Sequence, residues 1–250
     1  MDKRIIKALV NPQYACLAIV HKLSRFIKSD ELYLKIVYLL SIGKRLNLKN
    51  PKTFNEKLQW LKLYNRKPEY TIMVDKVKAK EYVAKIIGDE HIIPTLKIWD
   101  NPEEIDFDKL PQSFVLKCNH NSGLGMCICK DKGKLNISKV TNNLKKGMRQ
   151  DYYMTNREWP YKNVPRKIMA EKFMQDESGE NLTDYKFFCF NGEPFMMYVS
   201  HDNAEQATTD FFDMDYKRLP IRMKDPNSKE LPVKPKEFEE MREYARKLCT

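Results

Sequence analysis

The sequence predicts an α+β fold: a helical N-terminal region followed by antiparallel sheet subdomains, the last of them incomplete. Three observations carry this. Apolar residues recur at mixed 3.6-type spacing through residues 1–46 and again between Thr53 and Ile87. From His91 onward the pattern changes to short extended runs. Two pairs of these runs flank turn sequences, Asn119–Gly125 and Asn191-Gly192, and therefore read as hairpins.

Composition narrows the class further. The chain has 250 residues, 42% hydrophobic and 11% aromatic, enough for one large core or two modest ones. Charged residues at 32% and only 8 glycines exclude collagen-like and low-complexity chains. No apolar run approaches the ~20 residues that span a bilayer. The N-terminal stretch is interrupted by Asn11-Pro12 and lacks a small-x-small cleavage site, so it does not read as a signal peptide. Six scattered cysteines do not form a disulfide framework, and a reducing cytoplasm is expected. Net charge is +11, of which residues 1–50 carry +7, with 10 Lys/Arg against 3 Asp/Glu. A nucleic-acid binder would spread its cations through the folded domain, so no nucleic-acid partner is expected. A basic, apolar N-terminus suits peripheral membrane contact or an anionic polymer, with a solvated helical face as the plain alternative.

In order along the chain, residues 1–46 read as two helices, the second capped by Ser29-Asp30-Glu31 and ended by Gly43. Thr53 and Glu56 form a capping box that opens a helix through Leu58, Trp60, Leu61 and Leu63. A further helix is expected from about Tyr70 to Ile87, stopped by Gly88. His91–Pro94 and Leu96–Trp99 read as extended, and Glu103–Asp108 as a turn or brief helix. Ser113–Cys118 and Met126–Lys130 are strands, and residues 137–152 a basic helix. Lys167–Met174 is a strand, followed by an acidic loop, Asp176–Asn181. Asp184–Phe190, Pro194–Ser200 and Phe211–Tyr216 are strands, and Glu237–Leu248 is a terminal amphipathic helix. The boundaries expected are 1–50 for the basic helical region, 51–165 for a subdomain with a phosphate-loop hairpin, and 166–250 for the start of a further subdomain.

The chemistry concentrates at Lys117, which ends a strand and precedes Asn119-His120-Asn121-Ser122-Gly123-Leu124-Gly125. A lysine there can neutralise a phosphate, glycines let backbone N–H groups approach phosphate oxygens, and Ser and Asn add donors. The loop matches neither G-x-x-x-x-G-K-[ST] nor G-x-G-x-x-G. Asp75-Lys76 and Lys80 on an upstream helix, Lys167–Met174, and Asp184-Tyr185-Lys186 add to it.

In that order, "VDKVKAK", "FVLKCNHNSGLGM", "IMAEKFM" and "DYKFFCFNGEP" resemble the successive nucleotide contacts of the ATP-grasp superfamily. The stretch "NPKTFNEKLQWLKLYNRKPEYTIMVDKVKAKEYVAKIIGDEHIIPTL" resembles its TupA-like branch, named for teichuronopeptide synthesis. The resemblance runs from about Leu32 to the chain end. It implies ATP-grasp-type sheet subdomains, with Lys76 and Lys117 on the ATP phosphates and a loop from Asn119 through Ser122 and Gly123 to Gly125 closing over them. It places Glu171 and the backbone of Lys172 and Phe173 along the adenine edge, with Met174 in the ring pocket. Val115, Ile168 and Phe173 would supply apolar walls. Asp184 would hold the ribose hydroxyls and Lys186 would face a phosphate or the acyl intermediate, as the catalytic residue. The implied activity is an ATP-dependent carboxylate–amine ligase working through an acyl phosphate in cell-surface polysaccharide biosynthesis. Its implied substrates are ATP, a uronic-acid-containing glycan or its precursor, and an amino acid. Mg²⁺ is the implied cofactor, but its ligands in that superfamily lie on late C-terminal strands. The chain stops at Arg246–Thr250, so the ligands are expected beyond it and no metal residue is assigned.

Rival readings stand beside this. Asp213-Met214-Asp215 is a D-x-D that would serve a glycosyltransferase. Cys118, His120, Cys127 and Cys129 would make a zinc site across the hairpin. A non-catalytic nucleotide- or glycan-binding protein is the third alternative.

Overall fold

The computed structural model describes residues 11–175, 182–202, 207–223 and 225–249; the expected acidic loop Asp176–Asn181 lies outside them. Among the described residues the first helix opens at Asn11 and Pro12, with Asn11 as its extended N-cap. In α1 (Pro12–Lys22), the Asn11 carboxamide accepts from Tyr14 N at 3.0 Å, and Pro12 occupies the first helical position, where its missing N–H costs nothing. A 3₁₀ turn, Ser24–Phe26, leads to α2 (Asp30–Ile42). As expected, Ser29 caps α2 by accepting from Leu32 N at 3.2 Å, and Gly43 ends it at φ 75°. The Thr53–Glu56 capping box opens α3 (Phe54–Tyr64), and the donated N–H groups of Thr53 and Lys52 hold the Glu56 carboxyl below its ordinary range. Tyr33, Leu34, Tyr38 and Leu46 form a buried cluster against which Val20, Ile27 and Leu63 pack, joining these three helices.

The single helix expected over 70–87 is two: α4 (Pro68–Val74) and α5 (Lys78–Ile87). Asp75 breaks it. Its carboxylate accepts from Val77 N at 2.9 Å and from Asn119 Nδ2 at 2.8 Å, an alternative to continuing the helical ladder. Asp75 and Lys76 therefore sit at a junction, not on a helix.

The first sheet has the order β1-β4-β2-β3, built from β1 (Thr95–Trp99), β2 (Phe114–Cys118), β3 (Met126–Cys129) and β4 (Ile168–Lys172). Every neighbouring pair is antiparallel. β4 lies beyond the 165/166 boundary expected from sequence but pairs with both β1 and β2, so it belongs to the preceding unit. Alternation sends Phe114, Leu116, Cys118, Ile168 and Ala170 to one face. There they pack with Trp99 and with Val140 and Leu144 of α6 (Ile137–Arg149). α6 stops at Arg149, short of the expected 152, and a short helix, α7 (Tyr153–Asn156), follows. The opposite face carries Val115, Lys117, Met169 and Glu171, in the register Val115↔Glu171 and Lys117↔Met169. Ile168 thus belongs to the core face and cannot wall the open one.

The second sheet, β5-β6-β7, is antiparallel throughout and consists of β5 (Asp184–Phe190), β6 (Glu193–Asp202) and β7 (Ala207–Asp213). Asn191 and Gly192, at φ 53° and 79°, make the tight hairpin turn their sequence predicts. α8 (Phe238–Cys249) covers one face, where Phe238 joins Met197, Val199 and Phe212 in a third core cluster. No helix among the described residues is long and apolar enough to cross a membrane.

Candidate functional site

Three lysines converge on the face of the first sheet opposite its core, the face that carries Glu171. Glu171 of β4, only 3% exposed, lies at their centre. Lys117 of β2 pairs with its Oε2. Lys80 of α5 approaches Oε1 at 2.5 Å, as a charge contact outside hydrogen-bond geometry, and also donates to Ile93 O at 2.5 Å and Thr95 Oγ1 at 3.1 Å. Lys76, at the α4–α5 junction, donates to the Asn121 and Asn119 carbonyls. Burial first, and then repulsion from Lys117, hold the Lys76 ammonium below its ordinary pKa. Three cations thus face two buried carboxylates, Glu171 and Asp75. The local surplus is positive, and the least comfortable ammonium is the one without a close carboxylate. Such a site gains by taking up a polyanion.

The loop after β2 is held from beneath. Asn119 is fully buried: its Nδ2 donates to Asp75 Oδ1 and to Pro165 O, both at 2.8 Å, and its Oδ1 accepts from Lys167 N at 2.7 Å. Asn121 Nδ2 donates to Gly147 O, and His120 Nε2 to Gln150 O, each at 3.2 Å. Burial and the nearby Arg166 lower the pKa of His120, so the imidazole is neutral near pH 7. Gly125, at φ 72°, lies so close to α6 that an added Cβ would meet Cys118 Sγ at 2.6 Å and Gly147 Cα at 3.0 Å. Gly123, at φ 81°, has open space around it, and Ser122 is exposed, near the Tyr152 hydroxyl. Of the loop residues singled out from sequence, Ser122 and Gly123 form the accessible tip, whereas Asn119 and Gly125 are braces.

The remaining candidates divide similarly. Lys172 and Met174 are exposed at the exit of β4 and Phe173 is half-buried. Glu171 precedes them on β4, its carboxylate paired with Lys80 and Lys117. Asp184 and Lys186, both exposed on β5, pair with each other at 2.5 Å, and Lys186 also lies 5.4 Å from the Tyr198 ring centroid. Lys80 and Asp75 went unassigned from sequence; Lys80 stands one turn beyond Lys76, and only β4 shows that both serve one site.

Two rival readings meet contrary geometry. Asp213 Oδ1 accepts from Asp215 N at 3.0 Å and from Lys217 N at 2.8 Å, so the D-x-D forms the turn that ends β7. Cys118 and Cys129 are buried in the core, where burial pushes the Cys118 thiol up to about 11 and keeps it protonated. Among the described residues no three His, Cys, Asp or Glu side chains converge on a metal position.

A family model described as TupA-like ATPgrasp matches residues 56–250. No curated protein and no solved structure matches the chain.

Proposed function

The chain belongs to the TupA-like ATP-grasp family, and from that premise we propose that it is an ATP-dependent carboxylate–amine ligase of cell-surface, capsular or teichuronopeptide-like polysaccharide biosynthesis. On this reading it works in the cytoplasm beside the membrane. The observation that supports nucleotide binding most directly is the surplus of ammonium groups, Lys76, Lys80 and Lys117, beneath a loop whose tip is accessible.

In the proposed reaction a substrate carboxylate, that of a uronic-acid-containing glycan or its precursor, attacks the γ-phosphorus of ATP. The bond to the ADP oxygen breaks and an acyl phosphate forms. The amine of an amino acid then attacks the acyl carbon, phosphate leaves with its electron pair, and the amine proton passes to solvent. Lys76 and Lys117 hold the phosphates, with Lys80 as a third cation, and the Ser122–Gly123 tip closes over them. The backbone of Lys172 and Phe173, and Met174, flank the adenine. Asp184 exchanges Lys186 for the ribose hydroxyls, which releases the Lys186 ammonium toward the acyl phosphate. Mg²⁺ would neutralise phosphate charge in such a reaction. The described residues offer no carboxylate set that fits it, and none of these steps runs through the metal.

Calorimetric titration with a non-hydrolysable ATP analogue, with and without Mg²⁺, tests the reading. Lys117→Ala is expected to weaken binding at least about tenfold, the effect of a lost charge-assisted hydrogen bond of ~1.5–3 kcal/mol. Lys80 remains beside Glu171, so the variant should keep its circular dichroism spectrum. A folded Lys117→Ala variant with unchanged affinity would sink the assignment.

A further inference from the structure

We propose that α1 and the turn after it form a docking surface for an anionic lipid bilayer. This deepens the membrane-proximal part of the reading above and is independent of its nucleotide chemistry. The helix is apolar on two sides. Val20 and Ile27 face inward onto the Tyr33–Leu34–Tyr38 cluster, and Ser24 is buried. Cys16, Ile19, Leu23 and Phe26, spaced three, four and three residues apart, form a second, exposed stripe. Ile19 is 55% exposed, Leu23 47% and Phe26 66%, an unusual run of apolar surface on one short segment.

Charge selects the occupant. Lys22, Arg25 and Lys28 are exposed along the stripe, and no Asp or Glu occurs from Asn11 to Ser29. The Arg25 guanidinium lies 4.9 Å from the Phe26 ring centroid, so cation and apolar anchor act at one depth. A second copy docked through the same stripe would bring like charges together. A bilayer with anionic headgroups offers the complement: acyl chains for Ile19, Leu23 and Phe26, and negative charge for the cations.

The test is co-sedimentation of the full chain with vesicles of phosphatidylcholine alone and of phosphatidylcholine mixed with phosphatidylglycerol, with ATP-analogue affinity measured in parallel. The wild type is expected to pellet with the anionic vesicles and stay in solution with the neutral ones. Leu23→Ser with Phe26→Ser should lower the partition at least about tenfold, and Lys22→Glu with Arg25→Glu and Lys28→Glu should remove it. All these side chains are exposed, so analogue affinity should not change. Equal binding to both vesicle types, or binding that survives both sets of substitutions, would overturn the proposal. So would a wild type that self-associates in analytical ultracentrifugation and becomes monomeric on Phe26→Ser. Lipid binding without analogue binding would instead overturn the ligase reading alone.

Discussion

Lys76 shows how placement sets chemistry at a single residue. Its ammonium is partly desolvated and stands near Lys117, and both favour the neutral amine, while the two backbone carbonyls it donates to hold it in place. The unfolded chain therefore binds more protons than the folded one between the lowered pKa and the ordinary 10.5, and this group's contribution to stability rises with pH across that window. Phosphates placed on Lys76 would reverse the shift, so nucleotide binding is expected to take up protons. Affinity for the ATP analogue should fall as pH rises through the lowered Lys76 pKa, below the ordinary 10.5, and titrations in two buffers of different ionisation enthalpy would show the uptake. Binding with no linked proton would place Lys76 away from the phosphates. Lys76 and Lys117 were legible as cations near a glycine-bearing loop. Lys80 stands out in the sequence beside them but takes no role there, because its neighbour Glu171 is supplied from 91 residues further along the chain.

At the scale of elements, capping residues wrote their helices plainly: Ser29, Thr53 with Glu56, and Gly88 each act within four residues of themselves. The break at Asp75 is hidden from local sequence because its carboxylate accepts from Asn119, a distant partner, as well as from Val77. Strand faces followed from alternation once β4 was registered against β2, and register is a tertiary property. Gly147 in α6 is the clearest element-level case. Replacing a helical glycine with alanine ordinarily gains about 1 kcal/mol. Here the new Cβ would lie 2.7 Å from Gly125 Cα and 2.8 Å from Cys118 Sγ. Backbone gives way poorly, and overpacking of this kind costs ~1–3 kcal/mol. Gly147→Ala is therefore expected to lower stability in chemical denaturation despite the better helix former, and to weaken analogue binding by displacing the loop. A variant more stable than wild type would mean that α6 can retreat.

Across the whole molecule, Arg157 ties the N-terminal helices to the part of the chain that follows α6. It is 2% exposed and adopts φ 54°, a left-handed conformation that side chains other than glycine rarely hold. Its Nη2 donates to Ser24 O at 2.6 Å and Ile27 O at 2.9 Å, and its guanidinium lies 4.7 Å from the Tyr33 ring centroid. Asp30 completes the joint, 3.5 Å from Arg157 and 3.0 Å from Arg66, and accepts from the Tyr153 hydroxyl. Tyr152, one residue before Tyr153, lies near Ser122 at the loop tip, so the turn after α1 and the candidate nucleotide loop adjoin the same short segment. Arg157→Met keeps the bulk but orphans the two carbonyls and weakens the partnership of Asp30. A loss of ~3–5 kcal/mol is the scale for breaking such a buried pair. Hydrogen exchange should show residues 12–28 opening first, with the β2–β4 ladder protected. Uniform protection would mean that the Tyr33 cluster alone holds the helices.

The sequence by itself determined the α+β class, most element positions and the hairpin turn at Asn191-Gly192, and it singled out Lys76 and Lys117 as cations beside a glycine-bearing loop, because each of these depends on spacing or on contacts within a few residues. The family resemblance drew on the same ordered motifs. Only the tertiary structure decided that Asp75 ends a helix, that Ile168 faces the core, that Asn119 and Gly125 brace the loop instead of lining it, and that the D-x-D is a turn. Each of those outcomes depends on a partner far away in the chain, and the energy of a buried carboxylate or a backbone contact is set by what the fold brings beside it.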